Sequence, residues 1–149
     1  MYLTTTLLAN TRRIIKLYDS KLKPVCSHYG LAPIEATIIS FLHNNPGKDT
    51  AADIADLRML SKSNVSQAVE SLIQKALLQR QQDKTDRRRI HLFLTAQASP
   101  IIQEIEAVRE SFREQIFRGF TEEEQKQFVE FNARIAENTK TEPKSRDRI

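Results

Sequence analysis

Residues 84–95, "KTDRRRIHLFLT", join a cluster of positive charge to a regular alternation of residue types. From Ile90 onward an aliphatic residue occupies every second position, a period-two pattern that predicts a β-strand. The preceding "QRQQ" and the turn residues "DKTD" supply the other arm of a hairpin, with its tip at residues 83–89. One lysine and three consecutive arginines lie in that tip. The sequence therefore predicts a positively charged hairpin tip.

A helix with two different faces precedes this hairpin. Ser61 is the predicted N-cap of "KSNVSQAVESLIQKALL", which has apolar residues at helical spacing on one face. The first two turns of the opposite face carry short or amide-bearing polar groups, which suit contacts to base edges and phosphates in a major groove. The apolar face comprises Val65, Ala68, Val69, Leu72, Ile73 and Ala76. A solvated helix surface is the alternative interpretation of the polar face.

Three helices are predicted before this one. An amphipathic pattern runs over residues 4–27, and a second helix begins at Pro33, a residue tolerated at a first helical position. Thr50 is the predicted N-cap of a short third helix, with Asp53 completing a capping arrangement. Two short helices, of which the second displays a hydrogen-bonding face, are typical of a helix-turn-helix.

The hairpin that follows then becomes the wing of a winged helix. Arginine suits a narrow minor groove with its concentrated negative potential, and a neighbouring carboxylate such as Asp86 can hold a guanidinium in position. A solvated hairpin tip is the alternative. The predicted DNA-binding residues are Ser61, Lys62, Ser63, Asn64, Ser66, Gln67, Lys84, Asp86, Arg87, Arg88 and Arg89.

This order of elements resembles the multiple-antibiotic-resistance regulator (MarR) family over about residues 5–138. The wing is the most specific part, because "DRRRIHLFLT" is similar to that family's pattern of Asp, one residue, Arg, and a strand ending Leu-x-Leu-Thr. The helix "SKSNVSQAVESL" is similar to the family's recognition helix. The matching positions are Asp86, Arg88, Leu92, Leu94 and Thr95 in the wing, and Ser61, Val65, Ser66 and Leu72 in the helix.

The resemblance implies a mainly α fold, a winged helix-turn-helix with a two-stranded β-hairpin wing and dimerisation helices at both chain ends. It also implies that Arg88 enters the minor groove. The chain departs from the family pattern at Gln67, where arginine is common, and at Met59 and Ala76, where glycine is usual. "LTAQASP" also lacks the family's charged-glycine continuation. These departures concern base preference and turn geometry.

The C-terminal third differs from the rest in charge. Residues 1–99 carry 14 Lys/Arg and 8 Asp/Glu, whereas residues 100–139 carry 5 and 9. Apolar stripes over residues 101–116 and 128–135, and a capping box at Thr121, predict two further helices. Their apolar length, with that of the first helix, predicts an interface, although an ordinary core is the alternative.

The predicted organisation is therefore dimerisation helices at 1–30 and 98–139, a DNA-binding domain at 31–97 and a disordered tail at 140–149. The resemblance implies a homodimer, whose two recognition helices would meet successive major grooves of an inverted-repeat operator.

Other classes of protein are disfavoured. The longest apolar runs are far shorter than a membrane span and the N-terminus lacks a secretory pattern, so we expect a cytoplasmic protein. The single cysteine, Cys26, cannot form an internal disulfide; a buried thiol is favoured over an oxidant sensor. His28, His43 and His91 have no metal-ligand spacing. No cofactor, metal site or catalytic motif is predicted, and hence no enzyme.

Two function classes follow from these patterns. The first is a sequence-specific DNA-binding transcriptional regulator; the resemblance favours a repressor released when a small-molecule effector enters a crevice beside the dimer helices. The second is a winged helix that binds an acidic protein partner. The polar first turns of the recognition helix favour DNA, because a protein interface would be expected to carry aromatic anchors there.

Overall fold

The computed structural model describes residues 2–140 and is mainly α-helical. Within that range a two-stranded antiparallel hairpin follows four helices and precedes two more, which confirms the predicted winged-helix fold. The elements are α1 (Leu3–Tyr29), α2 (Pro33–Asn44), α3 (Ala51–Arg58), α4 (Lys62–Gln74), β1 (Leu78–Gln82), β2 (Ile90–Leu94), α5 (Ser99–Ile116, after a 3₁₀ turn at Ala96–Ala98) and α6 (Glu122–Lys140).

Helix ends lie where the sequence offers caps. Thr50 and Asp53 form the predicted capping box of α3, with Asp53 N–H donating to the Thr50 hydroxyl at 3.1 Å. Ser61 Oγ accepts the N–H of Asn64 at 3.2 Å and caps α4. At the other end of α1, Gly30 adopts a left-handed conformation with φ 65°, which glycine permits without steric cost. These local signals therefore set the boundaries of the helix-turn-helix.

The chain divides into two compact units, Met1–Phe112 and Arg113–Ile149. In the first, one apolar core draws on α1 to α5 and the hairpin. Val65 and Leu72 of α4 have no solvent exposure, so the predicted apolar face of this helix is its core face. The largest fully buried side chains are Ile38, Ile39, Ile54, Leu72, Leu78, Ile105 and Val65.

Ala76 departs from the predicted pattern. The helix ends at Gln74, and Ala76 is exposed in a left-handed conformation with φ 63°. The chain reverses here because Leu77 and Leu78, the next two residues, are buried in the core. The turn that glycine usually makes in the family that the sequence resembles is therefore made here by an alanine.

The hairpin has the predicted tip. Leu78 pairs with Leu94 and Gln82 with Ile90, so residues 83–89 lie beyond the paired strands. Of the alternating aliphatic residues, Leu92 is buried and Leu94 half-buried, whereas Ile90 is exposed. The alternation holds nearest the core and fails at Ile90 because the strand there has already left the apolar cluster.

In the second unit, α6 has no buried residue. Thr121 and Glu124 form the predicted capping box at its start. Phe117 makes edge-to-face contacts with Phe120 and Phe128, each with 5.5 Å between ring centroids. Lys140 is still helical, and the rest of the predicted disordered tail lies outside the described residues.

Within residues 2–140 no single helix has the length and apolar character to cross a membrane. One bent pair, α1 with α2, meets those criteria jointly by length and composition alone.

Candidate nucleic-acid interface

The polar face of α4 is available to a ligand. Ser61, Lys62, Ser63, Asn64, Ser66 and Gln67 are all exposed, while Val65 between them is completely buried. The burial of Val65 fixes the rotation of the helix and turns the polar side chains outward. The predicted reading residues therefore share one solvent-facing surface at the N-terminal end of α4, where the helix dipole favours an anion.

The turn between α3 and α4 holds this surface in place. Met59 caps α3 in a left-handed conformation with φ 57°, and its N–H donates to the carbonyl of Ala55. The N–H of Leu60 also donates to Ala55, at 2.9 Å, which completes a Schellman-type end. Met59 thus adopts the conformation of the glycine that is common here in the family that the sequence resembles, although an L side chain adopts that conformation at a cost.

The wing tip is organised by one carboxylate, Asp83. Its Oδ2 accepts the N–H and hydroxyl of Thr85 at 2.9 and 2.8 Å and the N–H of Asp86 at 2.8 Å. The N–H of Asp83 donates to the carbonyl of Arg89 at 2.8 Å and closes the loop. The hydrogen bond with His91, together with these donors, holds the pKa of Asp83 well below its usual range. The tip is therefore a turn that is held by internal hydrogen bonds.

Asp86 and Arg88 contact each other inside this turn. Asp86 Oδ1 accepts the N–H of Arg88 at 3.0 Å and its Nε at 3.4 Å. The Arg88 side chain is nevertheless 93% exposed, so its terminal nitrogens face solvent. Lys84, Arg87 and Arg89 are exposed as well, and the carbonyl of Arg87 accepts a hydrogen bond from Gln82 at 2.8 Å. The four cations of the wing that are predicted to meet DNA therefore all lie on this tip.

The base of the wing is tied to the segment that precedes α3. The N–H of Leu92 donates to the carbonyl of Asp49 at 2.8 Å. The His91 ring lies 2.7 Å from Asp49 Oδ1 through Nδ1 and 2.7 Å from Asp83 Oδ1 through Nε2. Both carboxylates raise the pKa of His91, and the hydrogen bond with Asp83 has a larger effect than that with Asp49. Asp49 and Asp83 are site residues that the sequence analysis missed.

A further ion pair links the wing to the recognition helix. Arg80 of β1 lies 2.7 Å from Glu70 of α4. Both side chains are about half exposed, 48% and 52%, so the pair contributes little to stability, on the order of 0–1 kcal/mol. The hairpin and α4 are held together mainly by the core that they share, in which Leu77 and Leu78 are buried.

Metal and thiol chemistry are the other candidate functions of the described residues. Among residues 2–140, no group of three His, Cys, Asp or Glu side chains is arranged to hold a metal ion. Cys26 is buried, and burial together with Glu35 and Asp19 raises the pKa of its thiol. A raised pKa disfavours the reactive thiolate.

Comparisons with known proteins agree with this geometry. A family model described as "MarR family" matches residues 29–89, from the end of α1 through the wing tip. The solved structure of transcriptional regulator PA3341 is 26% identical, with a TM-score of 0.79 over 93% of this chain and 98% of that one.

Two other solved structures share the fold at lower identity. One is the S. aureus MepR-DNA complex, which is 18% identical with a TM-score of 0.70 over 91% of this chain and 96% of the other. The other is Bordetella bronchiseptica BpsR, whose DNA binding is described as regulated by 6-hydroxynicotinic acid. BpsR is 18% identical, with a TM-score of 0.68 over 88% of this chain and 98% of the other.

Proposed function

We propose that this chain, which belongs to the MarR family of winged-helix transcriptional regulators, binds an inverted-repeat operator as a homodimer. It represses transcription from that operator, and a small-molecule effector releases it.

The arrangement of α4 and the wing carries this proposal. The polar side chains of α4 reach out from a helix whose orientation is fixed by the core, which suits discrimination among base edges. The wing presents four cations on a turn that is already bonded internally, so little conformational entropy is lost when the turn meets a phosphate backbone. Reading and positioning groups therefore lie in one unit, tied by Arg80 and Glu70.

Within the wing we assign different roles to the three arginines. Arg88 is the groove-inserting residue, since Asp86 fixes its Nε while its terminal nitrogens stay free. Arg87 and Arg89 contact phosphates. The negative potential of a narrow minor groove favours a guanidinium over an ammonium at this position because the planar fork is held more rigidly.

Exposed apolar side chains at both chain ends support the homodimer. Leu7, Leu8 and Ile15 of α1 are about half exposed or more, as are Phe131 and Ile135 of α6. Exposed apolar surface of this kind is typical of an interface. A two-fold axis through such an interface would present two recognition helices to an inverted repeat.

Likeness to solved structures supports the effector and the DNA target, and the resemblance to the family supports the repressor role. BpsR is described as having its DNA binding regulated by 6-hydroxynicotinic acid, and MepR was solved with DNA. We extend both properties to this chain as part of the proposal.

Selection of bound fragments from random double-stranded DNA tests the proposal. We expect an enriched inverted repeat whose half-sites lie about one helical turn apart. The control is a protein with Arg87, Arg88 and Arg89 changed to Ala, which should enrich little or nothing above background because its wing tip no longer carries arginine. Enrichment of no sequence by the native protein would contradict the proposal and favour an acidic protein partner.

A further inference from the structure

His91 occupies a position that only one protonation state satisfies. Each of its ring nitrogens faces a carboxylate oxygen at 2.7 Å, Asp49 on one side and Asp83 on the other. A carboxylate accepts hydrogen bonds and donates none, so both contacts require a proton on both ring nitrogens. A neutral ring has one N–H, and its second nitrogen would point a lone pair at the remaining carboxylate.

The two carboxylates belong to different parts of the unit. Asp49 precedes α3, and its backbone carbonyl also accepts the N–H of Leu92. Asp83 begins the wing tip, and its carboxylate accepts the N–H groups of Thr85 and Asp86. His91 therefore bridges the body of the DNA-binding region and the turn that carries the arginines. The ring is mostly enclosed, with 22% of the side chain exposed. Its cross-strand partner, Gln81, is neutral, and Asp49 and Asp83 are the charged groups that act on it.

We propose that His91 is a proton-dependent latch: the imidazolium fastens the ordered wing tip to Asp49, and loss of its proton loosens the tip and weakens DNA binding. The effect on DNA rests on the proposed function, whereas the effect on wing order does not. DNA binding becomes tighter as pH falls through the range in which His91 gains its proton.

The sign of the effect follows from linkage. The pKa of His91 in the folded protein lies above its ordinary value of 6.5. The contribution of the latch is therefore fully present below the ordinary value and is lost as pH rises through the raised one. A rise in pH above the ordinary value therefore weakens the attachment of the wing tip.

The first experiment uses the full chain without DNA. Nuclear magnetic resonance follows the ring nitrogens of His91 and the amide exchange of Thr85, Asp86 and Leu92 from pH 6 to pH 9. We expect both ring nitrogens to be protonated at the low end, and the three amides to lose protection together with that proton. Unchanged wing protection across the titration of His91 would overturn the inference, whatever the protein does with DNA.

The second experiment measures affinity for a selected operator by fluorescence anisotropy at the same pH values. We expect the native protein to bind at least about fivefold more weakly at pH 8.5 than at pH 6, a modest coupling between two sites. His91→Gln removes the proton-binding group and should give a flat profile. His43→Gln, on α2, is the matched control and should keep the native slope.

Asp49→Asn distinguishes the latch from a general electrostatic effect, in which the negative charge of bound DNA favours protonation of any nearby group. An asparagine amide donates to the unprotonated Nδ1 of a neutral ring while Nε2–H still donates to Asp83. We therefore expect the variant to lose most of the pH slope and to retain tight binding at pH 8.5. A native slope in Asp49→Asn would overturn the latch, because simple electrostatics would then account for the pH effect. If no DNA is bound by any form, the first experiment still decides the inference.

Discussion

Asp86 accepts hydrogen bonds from both the backbone N–H and the side-chain Nε of Arg88, at 3.0 and 3.4 Å. A carboxylate on a surface that meets a polyanion is unfavourable by charge alone, yet this one fixes the first part of a guanidinium that otherwise extends into solvent. The contact matches the sequence-based hypothesis that Asp86 supports Arg88. The direction in which a substitution of Asp86 changes the affinity for DNA will show whether this contact assists binding.

Asp86→Ala should weaken operator binding although it removes a negative charge. The expected loss is about 0.5–1.5 kcal/mol, the net value of one hydrogen bond, because Arg88 would be less restrained before binding. Asp86→Asn is the matched control, since its amide oxygen can still accept the N–H of Arg88. Affinity is measured at two salt concentrations. Tighter binding by Asp86→Ala would show that the wing acts only through its net charge.

Arg88→Ala should weaken binding more than Arg87→Ala or Arg89→Ala. Removing a phosphate contact lowers affinity on all sequences and reduces the salt dependence, while removing a group from the minor groove costs more on sequences with a narrow groove. Titrations against an operator with an A-tract under the wing and against one without it distinguish these effects. Equal losses for all three variants on both operators would contradict the assignment.

Ser66→Ala and Gln67→Ala should change which half-site is preferred. Each good base contact contributes about 1–3 kcal/mol of discrimination, so losing one relaxes the choice at one base pair. Lys62→Ala serves as the comparison, because a flexible ammonium is expected to bind phosphate and lose affinity uniformly. The measurement is affinity for the operator and for each single-base variant. A uniform loss for Ser66→Ala and Gln67→Ala would exclude them as readers.

Phe131→Glu should convert a dimer into monomers. A charge placed on the exposed apolar stripe of α6 would have to be desolvated in an interface, at a cost that a dimer of ordinary affinity does not tolerate. Ala133→Glu introduces the same charge on the opposite side of the helix and should leave the mass unchanged. Light scattering at micromolar concentration gives the result. A monomeric native protein would contradict the proposed assembly.

Lys75→Met should destabilise the fold by about 1.5–3 kcal/mol at pH 7, the value of a hydrogen bond to a charged group. Lys75 Nζ lies 2.9 and 3.0 Å from the two oxygens of Glu35, whose side chain is 4% exposed. Burial raises the pKa of Glu35, but the hydrogen bonds of Lys75, the Ala32 N–H and Ser71 lower it more, and the net direction is down.

The pH dependence of this loss is fixed by that direction. A carboxyl whose pKa is lowered by folding contributes stability above its unfolded value, here about 4.5, and loses it as pH falls through the folded value. The difference between native protein and Lys75→Met should therefore shrink at pH 3. Urea unfolding at both pH values measures it, with Lys75→Arg as the control. An equal difference at pH 7 and pH 3 would show that lost packing, and not the charge, is responsible.

Met59→Gly should stabilise the protein by about 0.5–1 kcal/mol. Its φ of 57° costs an L residue more than it costs glycine, and the side chain is 90% exposed, so few contacts are lost. The greater entropy of glycine in the unfolded chain offsets part of the gain. Met59→Val should destabilise, since a β-branched residue rarely adopts this conformation. Thermal unfolding of the three proteins gives the order, and a less stable glycine variant would contradict it.

Local signals explain why the helices and the hairpin were predictable. Ser61, Thr50 and Thr121 each act within three residues of a helix start, and the wing follows from alternation and turn residues in one short segment. The exposed face of α4 followed from the spacing of Val65 and Leu72 alone. Ala76 was misassigned to the helix, because periodicity does not reveal that the buried leucines after it require a reversal.

The contacts that position the wing were not predictable in the same way. Asp49 and His91 are 42 residues apart, and Glu35 and Lys75 are 40 apart. No period or cap relates such pairs, and their meeting depends on how α2, α3 and the hairpin pack. The alternating pattern places His91 on a strand and its spacing excludes a metal site, but neither signal identifies Asp49 as its partner. The sequence therefore indicated the exposed groups that are proposed to meet DNA, but not the contacts that hold them in place.

The hydrogen-bonded turn at Asp83 also affects how readily a protease cleaves this chain. The wing tip concentrates lysine and arginine, the residues after which trypsin cleaves, in one exposed loop. The hydrogen bonds that close the loop at Arg89 and Thr85 keep it from adopting the extended form that a protease cleft requires. When a loop opens and closes faster than it is cut, the rate of cleavage follows the population of the open form. The rate of cleavage at the wing therefore reports how often the turn opens, and each arginine that is proposed to recognise DNA is also a cleavage site that the turn protects.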